Sequence, residues 1–358
     1  MKSPILFLVL GIIATHTLMI AQDTTSAQPP PPPPSRDKFS GEAYFDYYYN
    51  IQMNDATKKD LQGFQFRRIY FTYDHPISSA FDARVRFEAD QKELTTPSGK
   101  ITTFMKEAFL KWKGIFEGSD FIAGLSPTPT WDIAEAAWGY RDLEKTIMDL
   151  RGIAQRTDLG VDLKGRLVGD GTVNYWLKIG DNSGQTPETN KFKRYYGLLH
   201  FKPSSQFQAT VYADLDAEAK VFDSFDGTYK DNNSFTFAGF LGYKDEGKYS
   251  LGLEGFYHPT QNNFRSTPLG ALETQNGFGV SAWAWGMVAD QVRLVGRFDL
   301  YNSNTGLTNN AVYFGLGAID YMPTPDVHVM PNIWLQPYAA TGSTTDVVAR
   351  LTFGYFYH

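Results

Sequence analysis

Hydrophobic and polar residues alternate with a period of two along most of the chain from Phe39 onward. The segment 81–90 shows this most clearly, with Phe, Ala, Val, Phe and Ala at odd positions and Asp, Arg, Arg, Glu and Asp at even ones. An α-helix repeats every 3.6 residues and would not keep five consecutive polar residues at strict alternation. The pattern therefore predicts β-strands with one apolar and one polar face.

The same alternation, bounded by turn-forming residues, predicts sixteen strands. Segments 234–243 and 276–286 are the weakest of these predictions, because glycine and aromatic residues occupy both of their faces. The predicted strands are 39–51, 63–74, 79–90, 104–113, 119–125, 157–166, 171–180, 192–202, 206–215, 234–243, 248–257, 276–286, 290–301, 311–321, 326–338 and 346–357.

Short and long connections alternate between these strands along the whole chain. A membrane barrel with tight turns on one rim and long loops on the other produces this rhythm. A soluble sandwich with Greek-key crossings is not expected to keep it. Every backbone amide needs a partner in lipid, so the sheet must close on itself. We predict an all-β, transmembrane, antiparallel up-and-down β-barrel of about 16 strands.

The apolar faces of the predicted strands should meet lipid and the charged faces the lumen. A Lys or Arg facing lipid at the membrane centre would cost about 2–4 kcal/mol. Aromatic residues near strand ends are suited to the membrane interfaces, with packing as the alternative, and these are Trp112, Tyr175, Tyr243, Trp283 and Trp334. The charged residues predicted to line the lumen include Arg84, Arg86, Glu88, Lys164, Arg293, Arg297 and Arg350.

Only the N-terminus holds a long apolar run, so the chain lacks the segments that a bundle of membrane helices needs. We expect a cleavable signal peptide at 1–21, with a membrane anchor as the alternative. Residues 22–38 contain six consecutive prolines and predict a stiff periplasmic spacer. The barrel domain then spans 39–358, and export leads to the outer membrane.

Composition excludes several classes of function. The 33 Lys and Arg against 39 Asp and Glu give a net charge of −6, which offers no electrostatic basis for binding nucleic acid. The absence of cysteine excludes disulfides, thiol chemistry and a lipoprotein anchor. Five histidines outside the signal lack a nearby nucleophile pattern and no G-x-S-x-G occurs, so we expect neither an enzyme nor a metal or cofactor. A barrel enzyme stays the less favoured alternative.

The longest predicted connection, 126–156, is out of proportion to the others and dense in charge. Its segment 141–150 has helical spacing, and aromatic residues at 131, 138 and 140 can anchor it. Such a loop usually has a function. We expect it to fold into the barrel and narrow the pore, the alternative being a cap over the mouth. The predicted constriction residues are Arg141, Asp142, Glu144, Lys145, Asp149 and Arg151.

Three stretches, 64–90, 106–127 and 138–167, resemble the phosphate-selective porin O and P family. The resemblance implies a sixteen-stranded porin, a homotrimer and a third loop folded inward. It also implies that basic residues guide anions such as phosphate: Arg67 or Arg68, Arg84, Arg86, Arg141, Lys145 and Arg151. Loop 216–233 departs from the pattern, because five acidic residues there oppose two lysines.

We therefore expect a water-filled channel for passive diffusion of small polar or charged solutes. The inferred inward-facing charges cancel, eleven against eleven, so the wall alone predicts no strong ion preference. Sugars, which could stack on Tyr44 and Tyr48, and hydrophobic solutes stay as alternatives. The expected partners are outer-membrane lipid, further copies of the chain, and the barrel-insertion machinery. The insertion machinery is expected to recognise the C-terminal strand 346–357, whose aromatic ending resembles an insertion signal.

Overall fold

The computed structural model describes residues 37–90, 101–245 and 247–358. The predicted signal peptide lies outside these residues, as does the predicted spacer up to residue 36. Within the described ranges, no helix combines the length and apolarity that a membrane crossing requires.

Sixteen strands form one closed, antiparallel barrel, and two further strands form a separate hairpin. In chain order the strands are β1 (Lys38–Gln52), β2 (Gln62–Pro76), β3 (Phe81–Ala89), β4 (Thr103–Phe116), β5 (Ser119–Pro127), β6 (Thr157–Arg166), β7 (Val173–Gly180), β8 (Arg194–Phe201), β9 (Phe207–Asp216), β10 (Val221–Asp223), β11 (Thr228–Lys230), β12 (Ser234–Asp245), β13 (Tyr249–Phe264), β14 (Glu273–Ala289), β15 (Val292–Asn302), β16 (Ala311–Thr324), β17 (Val327–Gln336) and β18 (Asp346–Tyr357).

Each barrel strand pairs with its neighbours in sequence, except that β9 pairs directly with β12 around the β10–β11 hairpin. The ring closes where β1 pairs with β18, from Gly41 opposite Tyr357 to Gln52 opposite Val347. The fold class and the count of sixteen barrel strands are thus confirmed. Turns of two to six residues alternate with loops of eight to twenty-nine residues, counted from the strand bounds.

The two faces of the wall differ in the way the alternation predicts. The outward apolar side chains of Phe87, Leu177 and Phe298 are 39–55% exposed, as expected for a surface that meets lipid. The charged residues Glu107 and Lys178 point inward and are 2% exposed or less. The interior is thus polar, but it is also closely filled.

The structure differs from the predicted elements mainly on the long-loop side. Strands β13 and β14 extend beyond the predicted 248–257 and 276–286. The β10–β11 hairpin was not predicted, because its strands have only three residues each. It depends on Asp223, which lies 2.6 Å from Lys230 and 2.9 Å from Arg265 of another loop. Sequence-distant ion pairs of this kind leave no local pattern.

Candidate pore constriction

The third loop, residues 128–156 between β5 and β6, folds into the barrel. It contains two short helices, α1 (Asp132–Trp138) and α2 (Ile147–Leu150). Thr130 near its start lies 2.9 Å from the hydroxyl of Tyr212 on β9. The Tyr140 hydroxyl donates to Asp320 on β16 at 2.8 Å. Contacts with such widely separated strands place the loop across the lumen, which confirms the predicted inward fold.

One side of the third loop is apolar and packs on the inner wall of β12 to β17. Trp138 is fully buried, its ring lies 5.4 Å from that of Trp283, and its Nε1 donates to the Glu144 carbonyl at 2.9 Å. Burying an aromatic side chain of this size is among the larger stabilising contributions that a core offers. This first core comprises Ala134, Trp138, Tyr140, Leu143, Phe240, Trp283, Val295, Phe314, Leu316, Ala318 and Met330.

A second core holds the other half of the third loop against β7 to β9 and β13. Ile147 approaches the wall at Gly279 so closely that a Cβ there would come within 2.9 Å of the Ile147 Cδ1 atom. Glycine at this position thus makes room for the loop. The members of this core are Trp131, Ile147, Met148, Ile153, Trp176, Tyr196, Leu198, Tyr212 and Phe256.

For two of the aromatic residues near strand ends, these cores favour packing over an interfacial position. Trp283 is buried inside the barrel, and Trp334 packs against the first core with its ring perpendicular to that of Phe314 at 5.4 Å. An interfacial position for these two residues would require a wholly polar lumen. A wall that receives a packed loop needs apolar residues on both faces, which also explains the aromatic residues on both faces of 234–243 and 276–286.

The other side of the third loop is charged. Arg141 pairs with Glu135 and lies 2.7 Å from Asp149. Arg156 lies 2.8 Å from Glu135, and Lys145 3.7 Å from Asp149. Burial raises the pKa of Asp149, but Arg141 and Lys145 outweigh it and hold that pKa well below its usual range. The loop therefore presents an ionised and largely neutralised network.

A second charged network lines the wall of β2 to β4 opposite that face. Glu88 lies 2.6 Å from Arg68 and 2.9 Å from Lys106, and Arg86 lies 2.8 Å from Glu107. Arg67 on β2 donates to the Asp142 carbonyl at 3.0 Å, so the third loop lies against this side of the barrel. The candidate constriction lies between the charged side of the loop and the wall of β2 to β4.

Two β-bulges build this wall. Tyr44 pairs with Arg68 and Phe45 with Phe66, so Arg67 is the extra residue of the first bulge. A second irregularity at Lys106 lets both Lys106 and Glu107 face the lumen. Bulges re-aim side chains and recur near functional sites. Strict alternation from Glu107 would put Lys106 on the outer face, so the sequence did not reveal it as a lumen residue.

Two predicted constriction residues, Asp142 and Glu144, point toward β1, β2 and β18 instead. Arg67 donates from Nη1 to the carbonyls of Asp142 and Leu143 at 3.0 and 2.6 Å, and its Nη2 lies 3.5 Å from Glu144. Burial raises the pKa of Asp142 to about 7. Burial also raises the pKa of Glu144, but Arg67 and Arg350 outweigh it and lower that pKa. The loop is thus anchored here by its main chain.

Among the cations predicted to line the lumen or the constriction, several are neutralised by a neighbour. Arg84 lies 2.6 Å from Asp74, and Arg297 lies 2.6 Å from Asp299. Four others stack on aromatic rings and, as far as the structure is described, have no carboxylate within 4.0 Å. They are Lys164 over Trp176 (4.2 Å), Arg293 over Trp285 (4.4 Å), Arg350 over Trp334 (4.5 Å) and Arg151 over Tyr301 (5.2 Å).

Several solved structures superpose on this closed barrel over 90% of the chain. The outer membrane channel DcaP of Acinetobacter baumannii superposes with a TM-score of 0.66 at 11% identity, covering 90% of this chain and 97% of that chain. The chain has a porin fold. The anion-selective porin from Comamonas acidovorans gives 0.63 at 10% identity, covering 90% and 99%. OmpF of Salmonella typhi gives 0.60 at 11% identity, covering 90% and 97%.

No protein-family model matches the sequence, and no curated protein matches it either. The identities to the solved porins are low, so they establish the porin fold and nothing finer. The resemblance to phosphate-selective porins stays a prediction.

Proposed function

We propose that this chain is an outer-membrane porin through which small polar and charged solutes diffuse passively. The observation that carries the proposal is the third loop inside a closed barrel. Its apolar side is fixed to one wall, and its charged side faces the charged wall of β2 to β4. Rings of charge at the narrowest point of a pore discriminate between ions. The apolar outer surface fits a barrel in lipid.

Pairing of the constriction charges argues against a dedicated phosphate site. Arg68, Arg86 and Arg141 each lie next to a carboxylate and so offer little uncompensated positive charge. We infer a weak preference for anions from the four stacked cations instead. These side chains are partly exposed, whereas the lumen carboxylates Asp158 and Glu254 are buried. The anion-selective porin among the structural neighbours supports the same direction.

Planar-bilayer recordings under a potassium chloride gradient test both parts of the proposal. We expect discrete channels with a reversal potential displaced modestly toward that of chloride. Arg350→Gln should move the reversal potential toward zero, and Lys59→Gln on an exposed loop serves as the matched control. Absence of any channel would refute the porin proposal, and cation preference in the wild type would refute the anion preference alone.

The remaining elements of the proposal concern export and assembly. We propose that residues 1–21 direct export, that the proline-rich residues 22–36 lie in the periplasm, and that the insertion machinery recognises β18. The family resemblance favours a homotrimer. Fractionation of cells and chemical cross-linking in native membranes test these points, with an inner-membrane location or a purely monomeric protein as the contrary results.

A further inference from the structure

A cavity of about 410 Å³ opens in the lumen at the short-turn end of the barrel, away from the long loops. We call it the short-turn bay. Its lining comes from the ends of β1 to β6 nearest the short turns, and Lys38 is the first residue of β1. The residues that matter below are Lys38, Arg84, Phe109, Lys111, Ile122 and Lys164.

The carboxylates that line the bay are neutralised within the wall. Asp74 lies 2.6 Å from Arg84, and Asp82 lies 2.8 Å from Lys113. Lys111 is also occupied, since it lies 3.0 Å from Asp120 on β5. The lining therefore holds no acidic group that is left to attract cations.

Two ammonium groups of the bay are free of such partners. In the described ranges, neither Lys38 nor Lys164 has a carboxylate within 4.0 Å. Lys164 rests on the ring of Trp176, with its Nζ 4.2 Å from the ring centroid. A cation held over an aromatic ring keeps its charge available to a ligand. The bay therefore carries a positive charge without a carboxylate partner at each of these two lysines.

Apolar surface lies between these cations. Ile122 is 3% exposed and forms part of the lining with Phe109, over whose ring the Arg84 guanidinium lies at 5.9 Å. A pocket that places an aromatic surface beside charged groups suits a small organic ligand rather than an inorganic ion. Inorganic phosphate would leave the partly exposed Phe109 ring without a partner.

We propose that the short-turn bay binds small organic carboxylates. The carboxylate meets the Lys164 ammonium group, Lys38 on the β1 side of the bay adds to the positive potential, and the carbon chain lies on Phe109. This inference rests on the proposed function and names a class of solute for that channel. A binding site beside the exit of a pore raises the local concentration of the solute it recognises.

The test uses the full-length mature protein in planar bilayers, with sodium butyrate or sodium phosphate added to one side at a time. Butyrate should reduce the potassium chloride current in a saturable manner from one side only, at lower concentration than phosphate. Lys164→Gln should raise the half-blocking butyrate concentration about tenfold, in line with the loss of one charge-assisted hydrogen bond. Lys38→Gln should raise it by a smaller factor, because that ammonium group acts through the potential alone. Lys164→Arg should retain the block.

Lys220→Gln, on the opposite rim, is the matched control and should leave the block unchanged. Wild-type protein that forms no channel refutes the proposed function itself. Wild-type channels that conduct normally but are not blocked by butyrate from either side refute the short-turn bay as a binding site and leave the proposed function intact. Lysine variants that butyrate blocks as strongly as the wild type refute it too. Equal block by phosphate refutes the organic-carboxylate assignment.

Discussion

Replacing Trp138 by alanine should release the third loop from the barrel wall. Trp138 is fully buried, and its indole contacts Trp283 and donates a hydrogen bond to Glu144. Truncating a buried tryptophan costs about 3–5 kcal/mol, and the lost hydrogen bond about 1 kcal/mol. The barrel strands keep their backbone hydrogen bonds, so we expect this cost to fall on loop packing.

A loss of about 4 kcal/mol changes the ratio of packed to released loop roughly a thousandfold, since each 1.4 kcal/mol is tenfold. Single-channel recordings should therefore show higher and noisier conductance, and liposome swelling should admit larger sugars. Trp112→Ala, on the lipid-facing surface where that side chain is 40% exposed, is the control and should leave conductance unchanged. A folded Trp138→Ala protein with wild-type conductance and noise would show that this core does not hold the constriction.

Three further changes test other contacts. Because burial raises the pKa of Asp142 to about 7, the folded state binds this proton more tightly, so loop anchoring should weaken as pH rises from about 4 to 7. Current noise should grow over that range in the wild type but not in Asp142→Asn, and equal pH dependence in both would contradict the reasoning. Arg67→Met removes both hydrogen bonds to the loop carbonyls and should raise conductance, while unchanged conductance would argue against this anchor. Asp223→Ala leaves Arg265 without its carboxylate partner and Lys230 with Asp226 alone, and it should speed proteolysis of loop 217–233 without altering conductance.

The barrel itself was predictable because its determinants are local. Alternation identifies each strand, and the alternation of short turns with long loops identifies the two rims. The predicted strand segments therefore agree closely with the observed strands. Even the inward course of the third loop followed from its length and charge. Its attachment did not follow, because the apolar partners of Trp138 lie on strands more than a hundred residues away, as Trp283 shows.

The charged site was only partly predictable for two physical reasons. A β-bulge shifts the alternation by one residue, and this brings Lys106 inward beside Glu107, which strict alternation does not allow. A count of charges also ignores pairing, so it treated Arg297, which is held by Asp299, like Lys164, which has no carboxylate within 4.0 Å in the described structure. Both effects depend on which residues lie side by side across strands.

The pairing of β1 with β18 has a consequence for how the barrel folds. The paired residues are about 300 positions apart in sequence (357 − 41 = 316 at one end and 347 − 52 = 295 at the other). Contacts of such separation form slowly. Until they form, the edges of both strands expose unpaired amides, which cost several kcal/mol each in hydrocarbon. Synthesis must therefore be complete before the ring can enter lipid, and a chain truncated before β18 should accumulate as an aggregation-prone open sheet.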